Sequence, residues 1–91
     1  MKVYFVSSEY QADVKIYIVS NEYQADIAVY KVANEYQADE DFLWYIVPNE
    51  YQADKKIYIV ANEYQADLKV YYVRNEYQAE WRNTSKQGVL R

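Results

Sequence analysis

Hydrophobic and polar positions alternate along this chain in short bursts that return on a fixed period. Four-residue apolar segments recur at Val3–Val6, Ile16–Val19, Val29–Val32, Trp44–Val47, Ile57–Val60 and Val70–Val73. β-branched and aromatic residues dominate them, so each predicts a short strand. The first position is Val, Ile or Trp, the second always Tyr and the fourth always Val. The third varies: Phe5, Ile18, Lys31, Ile46, Ile59, Tyr72. A position that accepts Lys31 is expected to be partly exposed or near an edge. The unvarying Tyr and Val are expected to face a shared interior.

Between the apolar segments stands one polar motif. Glu-Tyr-Gln-Ala-Asp occupies 9–13, 22–26, 35–39, 50–54 and 63–67, and 76–80 repeats it with Glu80 in place of Asp. From glutamate to glutamate the spacings are 13, 13, 15, 13 and 13. Such a period marks a repeat architecture. The repeats run about 2–13, 14–26, 27–39, 40–54, 55–67 and 68–80, with a C-terminal partial turn and tail at 81–91. Asn21, Asn34, Asn49, Asn62 and Asn75 precede the glutamates, with Ser8 in the first copy. Asparagine tolerates the left-handed backbone, so a sharp bend is expected there. Pro48 also suits a turn better than a strand. Tyr-Gln-Ala-Asp is expected to be a second extended segment. Its recurring alanine implies another backbone passing close by, covered by the rings of Tyr10, Tyr23, Tyr36, Tyr51, Tyr64 and Tyr77.

The one break in the period, Glu40-Asp41-Phe42-Leu43, divides the chain into two similar halves of three copies and predicts a wider crossing between them. Trp81 is expected to anchor a partial seventh turn. Thr84 to Arg91 is expected to be a frayed end, with Lys86 and Arg91 solvated. The fold class is therefore all-β, a single compact domain of tandem short-stranded repeats.

Composition narrows the chemistry. Thirteen tyrosines and two tryptophans stand beside one glycine and one proline. Tyrosine pairs apolar area with a polar tip and suits thin, half-buried β layers, whereas disordered chains lack such residues. No cysteine is present, which excludes thiolate metal sites and thiol redox chemistry and favours a cytoplasmic location. No histidine is present, which removes the commonest general base. Fourteen acids and ten bases are interspersed for a net charge of −4, so nucleic-acid binding lacks a basic footprint. No apolar run is long enough for a membrane span, and Met1–Val6 meets polar Ser7-Ser8-Glu9 too soon for a signal-peptide core.

Stacking identical copies in sequence order would set their glutamates in a ladder at about 4.8 Å, which repels. Three arrangements relieve it. The copies interleave, lysines such as Lys15, Lys56 and Lys69 intervene, or the carboxylates accept backbone N–H bonds.

Three features together resemble the small bacterial septoil-knot domain family. They are the tandem Val-Tyr-x-Val…Glu-Tyr-Gln-Ala-Asp copies, the longer centre with Leu43-Trp44-Tyr45, and the ending Gln78-Ala79-Glu80-Trp81-Arg82-Asn83-Thr84-Ser85-Lys86. The resemblance covers nearly the whole chain. It departs at Glu80, where the family pattern calls for glycine. It implies a compact all-β monomer, deeply knotted as a seven-crossing torus knot that unfolds slowly, with no assigned biochemical activity. Backbone knots are rare as a rule. Six turns and a partial seventh in two halves fit a path travelled twice, with second-half copies lying between first-half copies. Copies this uniform arise by idealisation or by recent duplication.

An enzyme needs two carboxylates in different environments, and six equivalent Glu/Asp pairs point instead to a shared structural duty. No alternating oxygen ligands surround a glycine, so a calcium loop is absent. No catalytic, cofactor or metal residue is assigned, and no ligand-binding residue is singled out. Two readings remain. One is a stable non-enzymatic structural or interaction domain. The other is a tandem-repeat binding module that takes glycans or other small polar ligands on the Asn-Glu-Tyr-Gln surface. Exposed, aligned Tyr10-type rings would favour binding, and rings buried against the alanines would favour the scaffold.

Overall fold

A computed structural model describes residues 1–91. Its strands are β1 (Lys2–Phe5), β2 (Val14–Ile18), β3 (Ile27–Lys31), β4 (Leu43–Ile46), β5 (Lys55–Ile59), β6 (Leu68–Tyr72) and β7 (Glu80–Trp81). They lie in the order β4-β1-β5-β2-β6-β3-β7, and β3 also pairs with β4. The first six strands therefore close into a barrel. Second-half strands alternate with first-half strands, so the expected interleaving is present and the chain travels nearly twice around the ring.

Closure follows from one repeated step. Val3 stands opposite Lys55, Ile57 opposite Val14, Ile16 opposite Leu68 and Val70 opposite Ile27. Each pairing advances the ring by one strand with a two-residue stagger, and the β3–β4 and β4–β1 pairs keep the same step. An even stagger preserves side-chain parity, so what faces inward on one strand does so on all. The accumulated stagger also puts the end of β1 level with the start of β2, since Phe5 and Val14 both lie opposite Ile57. The connector thus has only to straddle β5, about two strand spacings of 4.8 Å. It leaves by a bond from the Val6 amide to the Ile57 carbonyl (2.9 Å) and returns by one from the Asp13 amide to the Lys56 carbonyl (2.8 Å). Parallel strands normally need a longer crossover. Here the stagger shortens it.

The interior differs from the expectation. Strand alternation sends the first and third positions inward. Val3, Ile16, Val29, Trp44, Ile57 and Val70 form a middle layer with no exposed surface. The second-position tyrosines point outward and are only half-buried. The fourth-position valines are outward too. Each is the residue at which the chain leaves its strand while its amide still bonds a neighbouring strand, and Val19, Val32, Val47 and Val60 are buried there while Val6 and Val73 are half-buried. The third positions ring one mouth of the barrel. Phe5, Ile18 and Tyr72 pack on the core there, while Lys31, Ile46 and Ile59 remain exposed, as expected for a position that admits lysine.

The tail closes the opposite mouth instead of fraying. Thr84–Leu90 forms 3-10 turns, Leu90 is buried in the core beside Met1, and Val89 packs against it. Arg91 stays exposed, as expected, with its Nε 3.6 Å from an Asp41 carboxylate oxygen. Trp81 packs on the core from β7, which runs antiparallel to β3 with Glu80 opposite Ala28, so its anchoring role holds. At the period break, the indole N–H of Trp44 donates to the Asp41 carbonyl at 2.7 Å and lets the ring sit fully buried.

Candidate functional site

The repeated motif is a turn, not a strand. Glu9–Gln11, Glu22–Gln24, Glu35–Gln37, Glu50–Gln52, Glu63–Gln65 and Glu76–Gln78 are single 3-10 turns. The residue before each is extended, and no residue of the chain has positive φ, so the asparagines are not used for a left-handed bend. They act through hydrogen bonds. The Asn21 carbonyl accepts from the Gln24 amide (3.1 Å) and the Glu22 carbonyl from the Ala25 amide (3.0 Å). The Asn21 side-chain amide donates to Gln24 Oε1 at 3.5 Å, and the other four Asn-led turns repeat this at 3.4 Å. At Asn34 and Asn75 the backbone N–H joins in, at 3.0 and 3.2 Å, completing a capping box.

Folding the glutamine back leaves the tyrosine pointing out. Tyr10, Tyr23, Tyr36, Tyr51, Tyr64 and Tyr77 are 76–88% exposed. They do not cover the alanines. What passes close to each alanine is the strand beneath the connector, met by the aspartate that follows. The carboxylates of Asp13, Asp26, Asp54 and Asp67 accept the amides of Lys56, Lys69, Lys2 and Lys15 at 2.8–2.9 Å. Asp26 is the buried member and also accepts from Asn83 Nδ2 at 3.2 Å.

Four of the six motif glutamates pair with bases. Lys2–Glu35, Lys15–Glu9, Lys56–Glu50 and Arg82–Glu22 lie at 3.5–3.7 Å. Such exposed pairs each contribute at most about 1 kcal/mol. Glu63 and Glu76 have no such partner. Two of the three expected remedies for the glutamate ladder are therefore in use, interleaving and pairing with bases such as Lys15 and Lys56; the backbone N–H bonds go to the aspartates, and Lys69 gives its amide to Asp26.

The molecule measures 32 × 31 × 21 Å, and the two equal long dimensions are those of the six-turn ring.

Three clefts open on the surface. The largest, about 350 Å³, lies at the closed mouth among Asp39, Glu40, Asp41, Asp54, Arg91 and Met1. Its cations are already engaged. The Met1 ammonium donates to the carbonyls of Ala38 (2.8 Å), Glu40 (3.0 Å) and Leu43 (2.6 Å), and Arg91 pairs with Asp41. Burial draws that ammonium below its ordinary pKa, opposed by the charges of Asp54 and Asp41. The other two clefts, about 180 and 200 Å³, are equivalent places in the ring. Each lies between the end of one strand, with its own glutamine, and the glutamate of the turn that crosses over it. One holds Tyr71, Tyr72, Arg74, Asn75, Gln78 and Glu22; the other holds Tyr4, Phe5, Ser7, Gln11 and Glu50.

Sequence reasoning singled out the Asn-Glu-Tyr-Gln surface and the structure gathers it on one rim. It passed over Arg74. The available signal for Arg74 was its place, where the other copies carry Ser7, Ser20, Ala33, Pro48 and Ala61.

Comparison with curated proteins and with solved structures returns no match. The model of the 7(1) septoil knot domain does match, over residues 1–82, which takes in all six copies and β7, and the chain belongs to that family.

Proposed function

We propose that this domain is a non-enzymatic binding module whose rim of repeated turns recognises carbohydrate. The observation that carries the reading is the exposure of six equivalent tyrosine rings, each beside an amide and a carboxylate. The turn does not need the ring. Its bonds are made by the asparagine, the glutamine and the backbone, so the aromatic side chain is available for contact. Aromatic faces with a few placed polar groups suit a polar ligand that has one apolar side, as a sugar ring does. Each site is shallow and weak, and repetition around a rigid ring raises the effective affinity for a polymer.

The test is an amide-shift titration by NMR with neutral oligosaccharides. Shifts gathered on the Asn-Glu-Tyr-Gln segments, and lost when the rim tyrosines become serine, are the expected result. A flat response at millimolar sugar would contradict the reading and leave a scaffold role.

A further inference from the structure

We propose that the cleft between the turn at Glu22–Gln24 and the end of β6 is a subsite for an acidic sugar, a pyranose bearing a carboxylate. The proposal rests on the carbohydrate reading above and adds a ligand class and a location to it.

The cleft is about 180 Å³, the share of roughly six water molecules and room for one sugar residue. Tyr71 and Tyr72 supply aromatic surface, and Asn75 and Gln78 line the side. Gln78 Oε1 already accepts from the Asn75 backbone and side-chain amides, at 3.2 and 3.4 Å. Its own NH2 group is left to donate to a ligand oxygen.

Charge sets this cleft apart. Arg74 lines it and has no carboxylate partner. The one acid present, Glu22, is bound to Arg82 at 3.5 Å. Arg74 is therefore the one uncompensated cation lining the cleft, in a chain whose net charge is −4. The equivalent cleft beside β1 is the internal control. There Ser7 stands where Arg74 does, Phe5 where Tyr72 does, and Glu50 is paired with Lys56. Same shape, no free cation. A guanidinium binds a carboxylate through two parallel hydrogen bonds, which a lysine or an amide cannot reproduce.

The experiment compares trigalacturonate with a neutral trisaccharide by NMR, on the wild type and on Arg74→Ser. That variant copies the Ser7 site, so the fold already accommodates it. Trigalacturonate should shift the amides of Tyr71, Arg74, Asn75 and Gln78 and bind about tenfold more weakly to Arg74→Ser, with the neutral sugar unaffected. Ser7→Arg should create a second uronate response at the β1 cleft. Equal binding of both sugars, unmoved by Arg74→Ser, would overturn the subsite and leave the carbohydrate reading standing. So would inorganic phosphate giving the same shifts at the same concentration, which would mark a general anion site. No response to either sugar would overturn both.

Discussion

The middle layer of the barrel and the rim of turns are both sixfold, yet they repeat in different ways. The layer repeats only a chemical class: Val3, Ile16, Val29, Trp44, Ile57 and Val70 differ widely in volume and are all fully buried. The rim repeats letter for letter, with Glu-Tyr-Gln in every copy, and is almost fully exposed. A core asks for total apolar volume at high density, so one tryptophan can stand among smaller neighbours. A turn asks for specific donors and acceptors at fixed places, so its glutamine is unvarying and its leading residue is asparagine in all copies but the first, where Ser8 stands. Identity among copies therefore marks hydrogen-bonded geometry more than burial. The rim tyrosine is the exception that points to function, since neither volume nor turn chemistry requires it.

That contrast can be broken at several points. Trp44→Ala removes the largest fully buried side chain, its bond to Asp41 and its edge-on contact with Tyr72 at 6.2 Å. It should cost about 3–5 kcal/mol in guanidinium unfolding. Asp26→Ala should cost about 2–3 kcal/mol, because it strands the part-buried Lys69 amide and the Asn83 amide, and Asp13→Ala at its exposed equivalent only about 1. Equal losses would mean that burial does not grade the repeated aspartates.

Tyr72 extends the contrast to pH. Burial pushes its hydroxyl up to about 12 from 10.0. The folded chain holds this proton where the unfolded chain releases it. The stability it contributes is therefore full below pH 10 and is lost as pH rises toward 12. The difference between wild type and Tyr72→Phe in tyrosinate absorbance should show one step near pH 12. A step near 10 would place the ring in water. The smallest effect is expected at the rim, where Tyr51→Ser should change stability by no more than about 0.5 kcal/mol.

Much of this was legible in the sequence, and the misses have identifiable causes. The six strands follow from β-branched density, and the interleaving from the family resemblance and the two halves of three copies, being one of three arrangements that relieve repulsion between stacked glutamates. The exchange of inside and outside arose because sameness at Tyr4-type positions was read as burial, while alternation sends Val3 and Phe5 to one face and Tyr4 to the other. Glu9–Gln11 is too short to display a helical period, so its 3-10 turn left no pattern. Leu90 is one apolar residue in a polar tail, and its burial depends on meeting Met1 from the far end of the chain. Arg74 and Lys31 lie in different halves. The interleaved order that makes β3 and β6 neighbours sets Lys31 over the Tyr72 ring, and the crossing of the Glu22 turn over β6 sets Arg74 in its cleft.

The most direct test changes Tyr10, Tyr23, Tyr36, Tyr51, Tyr64 and Tyr77 to serine in one chain and follows sugar-induced amide shifts and the guanidinium midpoint on the same sample. The account predicts a midpoint close to wild type with the neutral-sugar shifts at the rim abolished. A folded variant that still gives wild-type shifts, or a chain that no longer folds, would contradict it.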